Sequence, residues 1–193
     1  MGDDDGRLAR GAARRRLLLD AAVRIVAGSG SGSLTHRAVA AEAHVSVASV
    51  TYHFPSIGVL RRETLEYAGS GIGLELADLV LAAAKHVDDI PEICAEFAVR
   101  LVKERRVETA AVFELIVAAG HDDELRPLVE IYNDRLADLL MHYEGDRGRA
   151  RTVGAAIQGL LLEQVAGVAS PEPGGLGRAV ADLIRRYRTE SKN

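Results

Sequence analysis

At 193 residues the chain can bury a substantial core, as one compact unit or as a small domain beside a larger one. An aromatic content of 4%, no Trp, and plentiful Ala, Leu and Arg favour helices over sheets, and a net charge of −4 excludes a protein that coats nucleic acid indiscriminately. A single cysteine, Cys94, excludes an internal disulfide; set in an apolar helical pattern, it reads as a buried, inert thiol of a reducing cytoplasm.

Residues 1–6 read as disordered, and Asp3-Asp4-Asp5 followed by arginines lacks the apolar heart of a signal peptide. Gly6 stands where myristoylation would need Ser or Thr, and no apolar run is long enough to span a bilayer, so no membrane partner is expected. Arg7 to Arg16 is either a basic arm reaching for a groove or phosphates, or the solvated start of a helix. The stripe Leu18, Ala22, Ile25, Val26 predicts that helix, and Gly28-Ser29-Gly30-Ser31-Gly32-Ser33 ends it. This is a loop rather than a phosphate cradle, because no Gly-Lys-Ser/Thr follows. From Arg7 to Phe54 seven arginines oppose only Asp20 and Glu42, a net +5 that leaves −9 for the rest. Such asymmetry fits either a phosphate-facing module on a repelling body or a merely solvated basic end.

Leu34 to Phe54 reads LTHRAVAAEAHVSVASVTYHF. Thr35 is a good N-cap for a short helix whose buried side is Val39, Ala40 and Ala43. Ala43-His44-Val45-Ser46 breaks the pattern, and Ser46 caps a second helix, Val47 to His53. Two short helices about a turn of roughly four residues make a helix-turn-helix signature, the second helix suited to the major groove. Small and polar side chains dominate its outer face: Val47, Ala48, Ser49, Thr51 and Tyr52. Val45, Val50 and Phe54 can face the first helix as core. On spacing alone, a tight helical hairpin with no nucleic-acid role fits as well.

The run resembles the N-terminal domain of TetR-family transcriptional repressors, whose pattern runs roughly T-x-R-x-I/V-A-x-x-A-G-V-S-x-x-x-x-Y-x-H-F-x-S-K. Thr35, Arg37, Val39, Ala40, Ala43, Val45, Ser46, His53, Phe54 and Ser56 stand in register, and Leu18-Leu19-Asp20-Ala21-Ala22 looks like the family's first helix. Three positions depart from it. His44 occupies the turn position usually held by glycine, Thr51 the tyrosine position (with Tyr52 one step later), and Ile57 that of a phosphate-meeting lysine. The resemblance implies an all-α protein: an N-terminal arm and three-helix helix-turn-helix domain over 1–56, then a larger helical effector-binding and dimerisation domain over 57–193.

Past Pro55-Ser56, a long helical pattern runs from about Ile57 to Lys85, with Leu60, Thr64, Tyr67, Ala68, Gly71 and Leu74 on one face. Gly69, Gly71 and Gly73 each weaken a helix by about 1 kcal/mol relative to Ala, which predicts a bend or break. Asp88-Asp89 and Pro91 start the next helix, with Ile93, Phe97, Leu101 and Val102. Another holds Ala110, Phe113, Ile116 and Val117 and stops at Gly120. Asp122 or Asp123 caps a further one from Leu125 to Tyr143, with Pro127 in its first turn. Val153 to Val168 is apolar nearly all round, so it must be covered on more than one side. Ser170 to Gly175 is a loop, and Leu176, Val180, Leu183, Ile184 and Tyr187 mark a final helix. These last two helices are the expected homodimer interface, an intersubunit four-helix bundle.

No nucleophile-base pair emerges, and His36, His44, His53, His86, His121 and His142 show no metal-ligand spacing, so no enzyme, metal or cofactor is expected. The expected function is ligand-controlled repression of a near-palindromic double-stranded DNA operator. Thr35, His36, Arg37, Ser46, Val47, Ala48, Ser49, Thr51, Tyr52 and His53 form the expected DNA surface. Thr35, Arg37, Ser46, Tyr52 and His53 hold mostly phosphates, while Ala48, Ser49 and Thr51 meet bases. His53 is either a phosphate donor or a packed helix end. Phe97, Phe113, Glu114, Tyr132, Gln158 and Leu162 combine apolar walls with a few polar groups, which suits a small organic effector. A helical ligand-binding or scaffold protein without DNA function is the rival reading.

Overall fold

The computed structural model describes residues 2–83, 87–168 and 175–189, which are helical with no strand among them. α1 spans Gly2–Ser29, and Leu18, Ala21, Ala22 and Val26 are sealed along one side of it. Its backbone is helical from Gly2, where disorder was expected. The packed segment from Leu18 onward supplies the nucleus, and the helix-tolerant, proline-free sequence before it propagates the coil backwards. The arginines therefore ride on a helix rather than on a loose arm. Gly30, at φ 80°, ends α1, and a 3-10 turn over Ser31–Ser33 leads into α2 (His36–Glu42) and α3 (Val47–His53).

α4 runs unbroken over Ile57–Ala83, its start capped by Ser56 Oγ, which accepts the Val59 N–H at 3.2 Å. No break occurs at Gly69-x-Gly71-x-Gly73. A methyl on Gly71 would lie 2.5 Å from the Arg105 guanidinium, and one on Gly73 2.6 Å from that of Arg135. Both glycines thus make room for arginines laid across the helix. The buried face is Leu60, Thr64, Leu65, Ala68, Ile72 and Leu76, whereas Leu74, expected inside, is 71% exposed. Thr64 satisfies its hydroxyl on the Leu60 carbonyl at 2.6 Å.

After a 3-10 turn at Val87–Asp89, α5 (Ile90–Lys103) carries Pro91 in its first turn and buries Cys94, Phe97 and Leu101. Burial pushes the Cys94 thiol up to about 12, so it stays protonated and unreactive. α6 (Arg106–Ala118) buries Thr109, Ala111, Val112 and Leu115, not the expected Ala110, Phe113, Ile116 and Val117. Phe113 and Ile116 are only half-buried and Val117 is exposed. α6 contacts both α1 and α4, and its slimmer side fits between them. Thr109 Oγ1 donates to the Leu101 carbonyl at 3.1 Å, satisfying a group at the end of α5.

α7 spans Arg126–Glu144. Leu125 stands at its N-cap, while Asp122, expected to cap it, accepts the N–H of Glu124 at 3.1 Å in the preceding turn. α8 covers Arg147–Ala166 and starts earlier than the apolar run, because Asp146 caps it by accepting the Arg149 N–H at 2.8 Å. Arg106 donates to the Gln164 and Val165 carbonyls at 2.9 and 2.6 Å, placing a cation at the negative end of α8. The loop expected from Ser170 lies outside the described residues as far as 174. α9 is Gly175–Thr189 and packs along α5, as α7 does along α8. One apolar core runs from Leu18 and Phe54 through Leu60 and Leu115 to Leu140 and Ile184.

Candidate nucleic-acid interface

The turn between α2 and α3 is built by hydrogen bonds that begin inside α2. Thr35 Oγ1 accepts the Ala38 N–H at 3.0 Å and opens that helix, as expected. At its end the N–H groups of His44 and Val45 donate to the carbonyls of Ala41 (3.2 Å) and Ala40 (2.9 Å). This pairing is the Schellman closure, and it needs a left-handed residue at His44. His44 takes it, at φ 53°, alone among the described non-glycine residues. Val45, immediately after, packs on the core, and Ser46 Oγ accepts the Ser49 N–H at 3.2 Å to open α3.

Once the turn is set, the faces of α3 follow. Val50 and Phe54 are fully buried and fix the helix to the head. Val47, Ala48, Thr51 and Tyr52 are exposed, and Ser49 and His53 half-buried. Tyr52 is 85% exposed, an unusual place for a large ring unless a partner covers it. Thr51 Oγ1 donates its proton to the Val47 carbonyl at 3.0 Å, so toward solvent it offers a methyl and an acceptor lone pair, but no donor. Thr35 and Arg37 are exposed beside this face.

His36 has a structural bond: its Nε2 lies 2.7 Å from the Phe54 carbonyl. A carbonyl can only accept, so that nitrogen carries the proton, and the ring ties the start of α2 to the end of α3. The Tyr52 and His53 rings meet edge-on at 5.2 Å, and the Arg15 guanidinium lies 5.4 Å over the Phe54 ring. Arg15 also pairs with Glu63 of α4, and Arg24 of α1 with Glu42 of α2 at 2.8 Å. Partial burial, then Arg15 and Arg14, hold His53 below the usual imidazole value of 6.5, so it is neutral at pH 7. Sequence reasoning assigned Arg14 and Arg15 only to a possible arm. It could not see that α1 carries their charge to the end of α3.

The six residues expected to line an effector pocket differ widely in burial. Phe97 is core, Phe113 and Tyr132 are half-buried, and Leu162 is 47% exposed on α8. Glu114 faces the head, where its carboxylate accepts the Ser31 N–H at 3.4 Å. Gln158 donates to Asn133 at 2.9 Å beside a cavity of about 460 Å³ between α7 and α8. A larger groove of about 640 Å³ lies between α4 and α7, walled by Leu74, Leu76, Ala77 and Leu81, none of them anticipated. Among the described residues, no cluster of His, Cys, Asp or Glu could hold a metal, and no helix is long and apolar enough to cross a membrane.

Two family patterns match the chain: that of bacterial regulatory proteins of the tetR family over residues 18–64, and that of the tetracyclin repressor-like C-terminal domain over residues 85–188. The HTH-type transcriptional regulator BetI of Brucella suis biovar 1 is 30% identical over 179 residues, 89% of either chain. Among solved structures, a TetR-family member from Streptomyces coelicolor A3 superposes with a TM-score of 0.75 at 29% identity, covering 90% of this chain and 97% of that one. The multidrug binding protein EbrR, in complex with malachite green, gives 0.71 at 28% identity, covering 90% and 97%.

Proposed function

The chain belongs to the TetR family of helix-turn-helix transcriptional regulators, a family of DNA-binding regulators rather than enzymes, and from that membership we propose a cytoplasmic repressor that binds a near-palindromic operator as a homodimer and leaves it when a small organic molecule enters the helical body. The observation carrying this reading is the outer face of α3. Short side chains (Ala48, Ser49, Thr51) stand beside an 85%-exposed Tyr52, on a helix pinned from behind by Val50 and Phe54. Short groups let the backbone approach base edges, and without a groove-face arginine, readout rests on short polar and methyl contacts. Thr35, Arg37, Ser46, Tyr52 and His53 hold phosphates, Arg14 and Arg15 add positive field at the end of α3, and His36 acts through the turn.

The head takes residues 1–56 and the body 57–193, joined by α4. The exposed small and apolar residues of α8 (Ala155, Ala156, Gly159, Leu162) suit burial against a second copy together with α9. A dimer of this kind sets two recognition helices roughly 34–36 Å apart, one helical turn of DNA. An effector changes that spacing by tilting α4. EbrR, solved with malachite green, supports an organic effector for this fold.

Selection of bound fragments from the source genome, followed by titration at several salt concentrations, tests the proposal. The expected result is a two-half-site operator, bound by a dimer, whose affinity falls steeply with salt. A protein that remains a monomer, or that never retards DNA at low salt, refutes it.

A further inference from the structure

The groove between α4 and α7 combines an apolar wall with one unused charge. Leu74 and Leu81, 71% and 69% exposed, stand over Leu76 and Ala77 in a space of about 640 Å³, within the usual range of roughly 300–1,000 Å³ for small-molecule sites. At its rim, Ser70 already donates to the Tyr67 carbonyl at 2.8 Å. Asp138 is neutralised by Arg147 at 2.7 Å. Arg135 differs: among the described residues no carboxylate pairs with it, although Asp134 and Asp138 lie on its own helix and both turn to Arg147. Its guanidinium lies across Gly73, where a methyl would come within 2.6 Å. The neighbouring saddle, Arg105 over Gly71, is closed by contrast through an ion pair to Glu75 at 3.4 Å.

We infer that this groove binds an apolar molecule carrying a carboxylate, its chain against Leu74, Leu76, Ala77 and Leu81 and its head on Arg135. A guanidinium presents paired donors that match a carboxylate, and the apolar walls strengthen that contact by excluding water. The absent side chain of Gly73 leaves room for the cation beside α4. The inference rests on the reading that a small molecule acts in the helical body, and it gives that molecule a class. Occupation would wedge α4, whose N-terminal end carries the head, against α7.

The test is calorimetric titration of the full chain with dodecanoate, dodecanol and dodecyltrimethylammonium, repeated on Arg135→Gln and Leu74→Glu. Both substitutions are at exposed positions, and unchanged melting curves confirm that each variant folds. Dodecanoate is expected to bind best. Arg135→Gln should weaken it by roughly tenfold or more, down to the level of dodecanol, and Leu74→Glu should weaken dodecanoate and dodecanol. Equal or tighter binding of the cationic amphiphile, or dodecanoate binding indifferent to Arg135→Gln, overturns the inference. Release of operator DNA is followed in parallel. Arg135-dependent binding without release supports the site and removes its regulatory role. Release by malachite green with no dodecanoate binding overturns the site and leaves effector control standing.

Discussion

Replacing His44 by glycine tests how the helix-turn-helix is held. His44 closes α2 from the left-handed region, at φ 53°, and among the described residues its exposed side chain has no hydrogen-bond partner to lose. Holding an L-residue there costs about 1–2 kcal/mol, toward the lower end for histidine, which visits this region more readily than most. Glycine removes that cost but loses about 0.5–1 kcal/mol to the greater freedom of its unfolded chain. The relief exceeds the loss, so His44→Gly should be more stable than the parent by about 0.5 kcal/mol. His44→Ala raises the strain, because alanine visits the left-handed region less readily than histidine, so glycine should exceed alanine by about 1 kcal/mol. Urea denaturation reads the difference directly. In a melt at fixed protein concentration, it corresponds to about 2–4 °C for a chain of this size. Operator affinity should stay within a few-fold of the parent, because the two closing hydrogen bonds at Ala40 and Ala41 are unchanged. A glycine variant no more stable than the alanine one would refute the claim that the turn is held against a backbone cost.

Arg37→Ala should weaken binding to all sequences and reduce the salt slope by about one unit, whereas Thr51→Val, which removes an acceptor and keeps the shape, should change sequence preference with little change in slope; parallel titrations on matched and mismatched sites separate the two. Tyr52→Ala should leave stability within about 0.5 kcal/mol, because the ring is exposed, while lowering DNA affinity. His53 titrates below 6.5 in the free protein, so a phosphate contact that raises it makes binding take up a proton. Affinity should then rise as pH falls from neutrality, and His53→Gln should flatten the profile. By the same depressed value the unfolded chain protonates first, so stability should decline as pH falls below about 6.5. Phe54→Ala, emptying a sealed position beneath α3, should cost about 3–5 kcal/mol in denaturant unfolding and abolish operator binding.

The helix-turn-helix was legible because its determinants are local. Thr35, Ser46, Val50 and Phe54 each act within a few residues of their partners, and caps and apolar spacing record that directly. Family pattern and physics agreed there, down to the left-handed residue that His44 must supply. The body was legible as a succession of helices but not in its faces. The pattern on α6 placed Phe113 and Val117 inside, but packing against α1 and α4 admitted Ala111 and Val112 instead. Nearly every position of such a helix is apolar, so periodicity cannot choose the phase.

Composition, caps and short-range spacing by themselves determined an all-helical chain with a basic head and an acidic body, and a recognition helix at Val47–His53. Tertiary structure alone decided that α4 continues unbroken past three glycines, two of which, Gly71 and Gly73, lie under arginines far away in sequence. It also opened a groove beside Arg135, lined by residues that the sequence did not nominate for a pocket. A cap acts within one turn of its helix and is written in adjacent letters. A cavity is the space left between helices once they have packed, and no single stretch of sequence encodes it.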